Sequence, residues 1–101
     1  MSAINMNKAQ FEQSMHEEKP VLVDYCRRIA PAYEKIAEEY GDQLVIGKVN
    51  IDEEPQLAEA EKIEVIPTLV LYRGGKAVDS IVAPDSKAAI ERFIQDAMER
   101  S

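Results

Sequence analysis

Cys26 is the only thiol in this 101-residue chain, and it is the side chain best suited to nucleophilic or redox chemistry. It stands in VLVDYCRRIAP, Val21 to Pro31, at a seam where a strand-like run meets a helix-like one with almost nothing between them. Disulfide exchange needs a low-pKa thiolate to attack and a second thiol to resolve the mixed disulfide. With one cysteine the chain can be cross-linked or capped by a small thiol, but it cannot complete a dithiol cycle within one molecule. The structural alternative is that Cys26 is simply a small buried hydrophobe. Asp24, two positions earlier, reads as the N-cap of the helix that follows.

Other reactive residue types lead nowhere. His16 has no neighbours in sequence that would complete a metal site. The acidic run DEEPQLAEAE, from Asp52, lacks the spacing of a calcium loop and reads as a solvated helix face. No metal is expected.

These residues need elements to position them. Asn7, with Gln10 three residues on, signals the start of a helix over 7–16, and Met6 and Phe11 fall at the positions of a hydrophobic staple. Pro20 opens a short apolar strand, VLVD, of the kind buried on both faces. Arg27 to Tyr40 follows a helical period, with Ile29, Tyr33, Ile36 and Tyr40 on one face and Pro31 predicting a kink or distorted first turn. A second strand covers 44–51, and a short helix runs from Asp52 to Lys62 with Asp52 as its cap. A third strand, 68–73, turns at Gly74-Gly75 into a returning strand, Lys76 to Val82. Asp85 or Ser86 caps a last helix to about Glu99, with Ala89, Ile90, Phe93, Ile94 and Ala97 facing inward. A short edge strand near Ile4 completes the series. Strands alternating with helices pair in parallel, and the Gly-Gly hairpin is antiparallel. The expected architecture is α/β: one domain over 1–101, a mixed central sheet with helices on both faces.

Composition fits a folded domain: 46% of residues are hydrophobic and 31% charged, enough for one core. The net charge of −7 argues against a nucleic-acid partner. No apolar run reaches membrane-helix length, and the first residues do not form a secretory signal. A lone cysteine points to a reducing, cytoplasmic setting.

The segments KPVLVD, IAP, VNIDEEP and VIPT, in this order and spacing, resemble the thioredoxin family along essentially the whole chain. KPVLVD is similar to the family's central strand, IAP to its kinked second helix, VNIDEEP to the turn into the third, and VIPT to its cis-proline loop. The resemblance implies a thioredoxin-like fold and a cytoplasmic protein-disulfide reductase that needs no cofactor of its own. Its partners would be a thioredoxin reductase, which supplies electrons, and disulfide-containing proteins, which receive them. It also implies roles: Cys26 as the resolving thiol, Asp24 as the buried aspartate that helps it lose its proton, and Lys48 as that aspartate's neighbour. Ile66, Pro67 and Thr68 would form the loop that pairs with substrate backbone, beside Ala83, where the family usually has glycine. Read alone, Pro67 is a strand-start proline and Lys48 a strand-surface lysine.

The seam departs from the family. There the motif W-C-x-x-C lies between strand and helix, and eight residues separate the aspartate from the second cysteine. Here only Tyr25 does, so seven residues are absent, the tryptophan and the first cysteine among them. Tyr25 matches either the aromatic after the aspartate or the residue before the second cysteine. A helix packed on a sheet lies about 10 Å away, and each residue spans at most about 3.6 Å, so one spare residue cannot join intact elements. Three outcomes follow: the helix unwinds as far as Pro31, the elements swap into a second molecule to give a homodimer, or the seam holds residues that this sequence does not contain. The competing functional class is a non-catalytic, loop-deleted scaffold or interaction module that keeps the groove near Pro67.

Overall fold

The first central strand, β2 (Val21–Cys26), is buried along its whole length. Its alternating side chains serve two cores, which is why the run VLVDYC is almost continuously apolar. In the computed structural model, which describes residues 2–100, β2 lies in the middle of a five-stranded sheet. The other strands are β1 (Ile4–Asn5), β3 (Val45–Asn50), β4 (Thr68–Arg73) and β5 (Lys76–Val82), in the spatial order β1-β3-β2-β4-β5. β1 and β2 run parallel to β3, whereas β4 is antiparallel to both β2 and β5. The mixed sheet is therefore the one the alternation of elements predicts.

Helices α2 (Pro31–Tyr40) and α4 (Lys87–Arg100) cover one face through Tyr33, Ile36, Ile90, Phe93 and Ile94, packed on Leu22, Ile46, Leu69 and Leu71. Helices α1 (Lys8–Ser14) and α3 (Pro55–Ala60) cover the other through Phe11 and Leu57, packed on Val21, Val23, Tyr25 and Val70.

Local signals account for most boundaries. Asn7 and Gln10 form a reciprocal capping box, each side chain 2.9 Å from the other's backbone nitrogen. Met6 and Phe11 join the same core. Gly74 and Gly75 both have positive φ, the backbone of a tight hairpin turn. At the last helix the cap is Ser86, whose Oγ accepts from the Ala89 nitrogen at 3.1 Å. Ala89 itself is only half-buried, while the other four predicted inward residues are buried.

Two helix starts differ from expectation. α2 begins at Pro31 and not at Arg27, with proline at the first helical position and not inside the helix. There its fixed φ is favourable and its missing N–H removes no bond. The residue before it, Ala30, is extended (φ −79°, ψ 145°), as a pre-proline residue prefers. α3 likewise begins at Pro55, after a turn in which the Asn50 side chain accepts from the amides of Asp52 (2.8 Å) and Glu53 (3.3 Å). Asn50, and not Asp52, is the residue that organises this turn.

α3 ends in a Schellman arrangement: the Ile63 amide donates to the Ala58 carbonyl and the Lys62 amide to that of Glu59, both at 3.0 Å. This forces Lys62 to φ 59°, a left-handed conformation that a side chain disfavours. Lys62 is exposed, so replacing it disturbs little else. Lys62→Gly is expected to stabilise the fold by roughly 0.5–1 kcal/mol, measured as a rise in the urea midpoint with an unchanged m-value.

Candidate functional site

Strand β2 extends two residues past Asp24, and this places the thiol. Cys26 is the last strand residue and pairs with Asn50 of β3. It stands five positions before the helix start and is only 4% exposed. The link to α2 is residues 27–30, with Arg27 held 3.4 Å from Asp52 by an exposed ion pair. Residues 27–30 precede the helix and are not part of it. Tyr25 sits in the strand directly after Asp24, facing the α1/α3 core.

Asp24, Cys26 and Lys48 come together. Asp24 lies opposite Lys48 in the β2/β3 register, and the Cys26 Sγ is 3.8 Å from the Asp24 carbonyl oxygen. Asp24 is 3% exposed and its Oδ1 has no hydrogen-bond partner. It is not a helix N-cap: that position is Ala30, which makes no side-chain cap bond. Burial raises the Asp24 carboxyl to about 6, against the smaller opposing effects of the Cys26 hydrogen bond and the Lys48 charge. The same burial, reinforced by the charge and hydrogen bond of Asp24, pushes the Cys26 thiol up to about 12, with Lys48 acting weakly the other way. At neutral pH the thiol is therefore fully protonated, whereas an attacking thiol needs its proton gone.

Ile66, Pro67, Thr68 and Ala83 form a second group. The Ile66–Pro67 bond is cis, and the Ala83 amide donates to the Pro67 carbonyl at 2.8 Å. Thr68 pairs with Val82 across the β4/β5 ladder, and its hydroxyl donates to the Val65 carbonyl. Ala83 has φ 45°, which explains why a glycine suits this position. Val65 and Val82, 53% and 52% exposed, flank the group with apolar surface.

Asp24 borders both groups. Asp24 and Pro67 line one cavity, while Cys26 borders a different depression beside Asn5, Arg27, Lys48 and Glu53. The thiol does not share the cavity of the Pro67 loop.

Tyr33 was legible only as an inward helix residue, yet it pins α2 to the sheet. Its hydroxyl lies 2.6 Å from the Gly47 carbonyl and 3.1 Å from that of Leu22. A fully buried tyrosine needs such a partner, which is the signal that would have found it. On the opposite face Tyr25, Tyr72 and Glu61 form a chain of bonds of 2.6 and 2.7 Å, which the linear pattern does not reveal. Among the described residues no cluster of His, Cys, Asp and Glu could hold a metal ion, and no helix is long and apolar enough to cross a membrane.

The family model described as Thioredoxin matches residues 2–96. A thioredoxin of Alicyclobacillus acidocaldarius subsp. acidocaldarius is 32% identical over 105 residues, covering 97% of this chain and 100% of that protein. A thioredoxin of Streptomyces clavuligerus is 43% identical, covering 87% of this chain and 89% of its own. A bifunctional thioredoxin reductase/thioredoxin of Mycobacterium leprae is 37% identical over 85% of this chain but only 20% of its own length. Among solved structures, the thioredoxin of Malassezia sympodialis superposes with a TM-score of 0.82 at 25% identity, covering 96% of this chain and 92% of its own.

The raised carboxyl of Asp24 has a thermodynamic consequence. Its folded-state value of about 6 exceeds the ordinary 3.8, so its favourable contribution is complete below pH 3.8 and is lost as pH rises through 6. Asp24→Asn removes the buried charge without changing shape. It should stabilise the fold by on the order of 2–3 kcal/mol at pH 8 and by little at pH 4, as read from urea unfolding at the two pH values.

Proposed function

The chain belongs to the thioredoxin family, a lineage of thiol-disulfide oxidoreductases, and we propose that it is a member in which the dithiol cycle does not run. What remains is the protein-docking groove around Pro67. The observation that carries this reading is the placement of Cys26: buried in a strand, protonated at neutral pH, and without a second thiol.

The exchange cycle requires an exposed thiolate that attacks a substrate sulfur, and a second thiol that releases the product. In the family the first cysteine fills the attacking role at the start of the helix, where unpaired amides favour an anion. Here the helix starts at a proline and no thiol lies at its end. Asp24 and Lys48 retain the positions of a proton acceptor and its neighbour beside Cys26, but they act on a thiol that no substrate sulfur reaches. Ile66, Pro67, Thr68 and Ala83 keep the geometry through which the backbone of an extended peptide would pair.

The missing seven residues fit a deletion at the seam. The pairing with the Alicyclobacillus relative runs over 105 residues, more than the 101 this chain has, so the relative carries residues with no counterpart here. The four-residue link lies in the usual range for strand-to-helix connections. The expected species is a monomer with one thioredoxin-like domain over 1–101, with a domain-swapped homodimer as the alternative. By lineage its partners are disulfide-containing proteins and a thioredoxin reductase, and its setting is the cytoplasm.

Reduction of insulin by dithiothreitol tests this directly. The chain is expected to add nothing to the dithiothreitol background, and to gain turnover when seven residues carrying a tryptophan and the first cysteine are inserted ahead of Cys26. Turnover by the unaltered chain would contradict the reading. A dimer on gel filtration at high concentration would replace the closed seam with a swapped one.

A further inference from the structure

We propose that Glu61 is a positioning residue: through Tyr72 and Tyr25 it holds residues 61–65, one wall of the groove beside Pro67, against the sheet. The inference deepens the docking reading above and rests on it. Residues 61–65 run from the end of α3 toward the Ile66–Pro67 turn, and with Thr68, Val70, Ser80 and Val82 they line a cavity of about 300 Å³. Thr68 belongs to this cavity and to the Pro67 group, so the two are continuous.

Three side chains from three elements tie this wall down. The Tyr72 hydroxyl, on β4, donates to Glu61 Oε1 at 2.7 Å, and the Tyr25 and Tyr72 hydroxyl oxygens lie 2.6 Å apart. A phenol has one proton to donate. Tyr72 gives its proton to the bond with Glu61, so Tyr25 is the donor in the other bond. The chain is therefore polarised from Tyr25 through Tyr72 to Glu61. Tyr25 is 0% exposed and Tyr72 2%, and burial holds both phenols well above the ordinary tyrosine range. Neither hydroxyl reaches solvent, so each depends on the next group along the chain. The Phe11 ring of α1 meets that of Tyr72 edge-on, with centroids 5.5 Å apart.

Glu61 is the member of the chain that carries the backbone of the wall. It is half-buried and caps the end of α3, its amide donating to the Leu57 carbonyl at 3.0 Å. The next residue, Lys62, turns the backbone in its left-handed conformation. The direction in which the wall leaves α3 is therefore set where Glu61 is held. At the far end the Thr68 hydroxyl donates to the Val65 carbonyl, which joins the wall to the first residue of β4. Cys26 takes no part in this arrangement.

Amide hydrogen exchange and amide chemical shifts of the free, ¹⁵N-labelled protein test this without a docked partner, so a groove that binds nothing leaves the result unaffected. In Glu61→Ala, exchange at Lys62 and Ile63, taken relative to Ile94 of α4, is expected to rise on the order of tenfold. Amide shifts at Val65, Ile66 and Thr68 should change with it. Glu61→Gln keeps an acceptor oxygen and should return both readouts toward those of the unaltered chain. The polarity of the chain gives a further readout. Tyr72→Phe strands the buried Tyr25 hydroxyl, whereas Tyr25→Phe leaves Tyr72 donating to Glu61. In urea unfolding, Tyr72→Phe should therefore lower the folding constant on the order of tenfold more than Tyr25→Phe. No change in Glu61→Ala, Glu61→Gln matching Glu61→Ala, or equal losses for the two tyrosines would each overturn the assignment.

Discussion

The reach of the backbone across the seam governs everything at this site. A strand and the helix packed on it are separated by about 10 Å, and neither can move without breaking its core. The chain solves the problem from both ends. β2 carries Tyr25 and Cys26 as paired residues, and α2 begins only at Pro31. Five steps then lie between Cys26 and Pro31, a reach of at most about 18 Å, and residues 27–30 span the layer without strain. Proline makes this retreat inexpensive, because a helix that starts at Pro31 loses no internal hydrogen bond there.

The chemistry follows from that geometry. A thiol at a helix start would face unpaired amides and solvent, and both favour its anion. A thiol at the end of a buried strand faces desolvation and the Asp24 carboxylate, and both oppose it. Asp24 is raised in turn by the same burial, so the two groups hold their protons more tightly than either would in water. Asp24 is 3% exposed, and one of its oxygens has no hydrogen-bond partner.

Most of the fold was legible because its signals are local. The capping box at Asn7, the Gly74-Gly75 turn and the buried runs of β2 and β4 each act over a few residues, and each appears where the pattern places it. The start of α2 was misplaced for a physical reason. The helical period of Arg27 to Tyr40 continues through residues whose backbone is extended, and the prolines at 31 and 55 acted as first-turn residues in both helices. Lys62 in a left-handed conformation shows the reverse case: the helix end imposes a geometry that its residue type does not announce. Of the site, the Pro67 loop and the pairing of Asp24 with Lys48 could be placed by family resemblance. The separation of Cys26 from that loop could not, since it depends on which end of the seam yields.

Burial at the end of β2 keeps the Cys26 thiol protonated. The pH dependence of Cys26 alkylation by iodoacetamide in the native protein tests this most directly. The expected rate is far below that of the urea-unfolded chain, with no thiolate plateau up to pH 10, because burial and Asp24 push the thiol up to about 12. A native rate equal to or above the unfolded one, levelling off near pH 7, would contradict it.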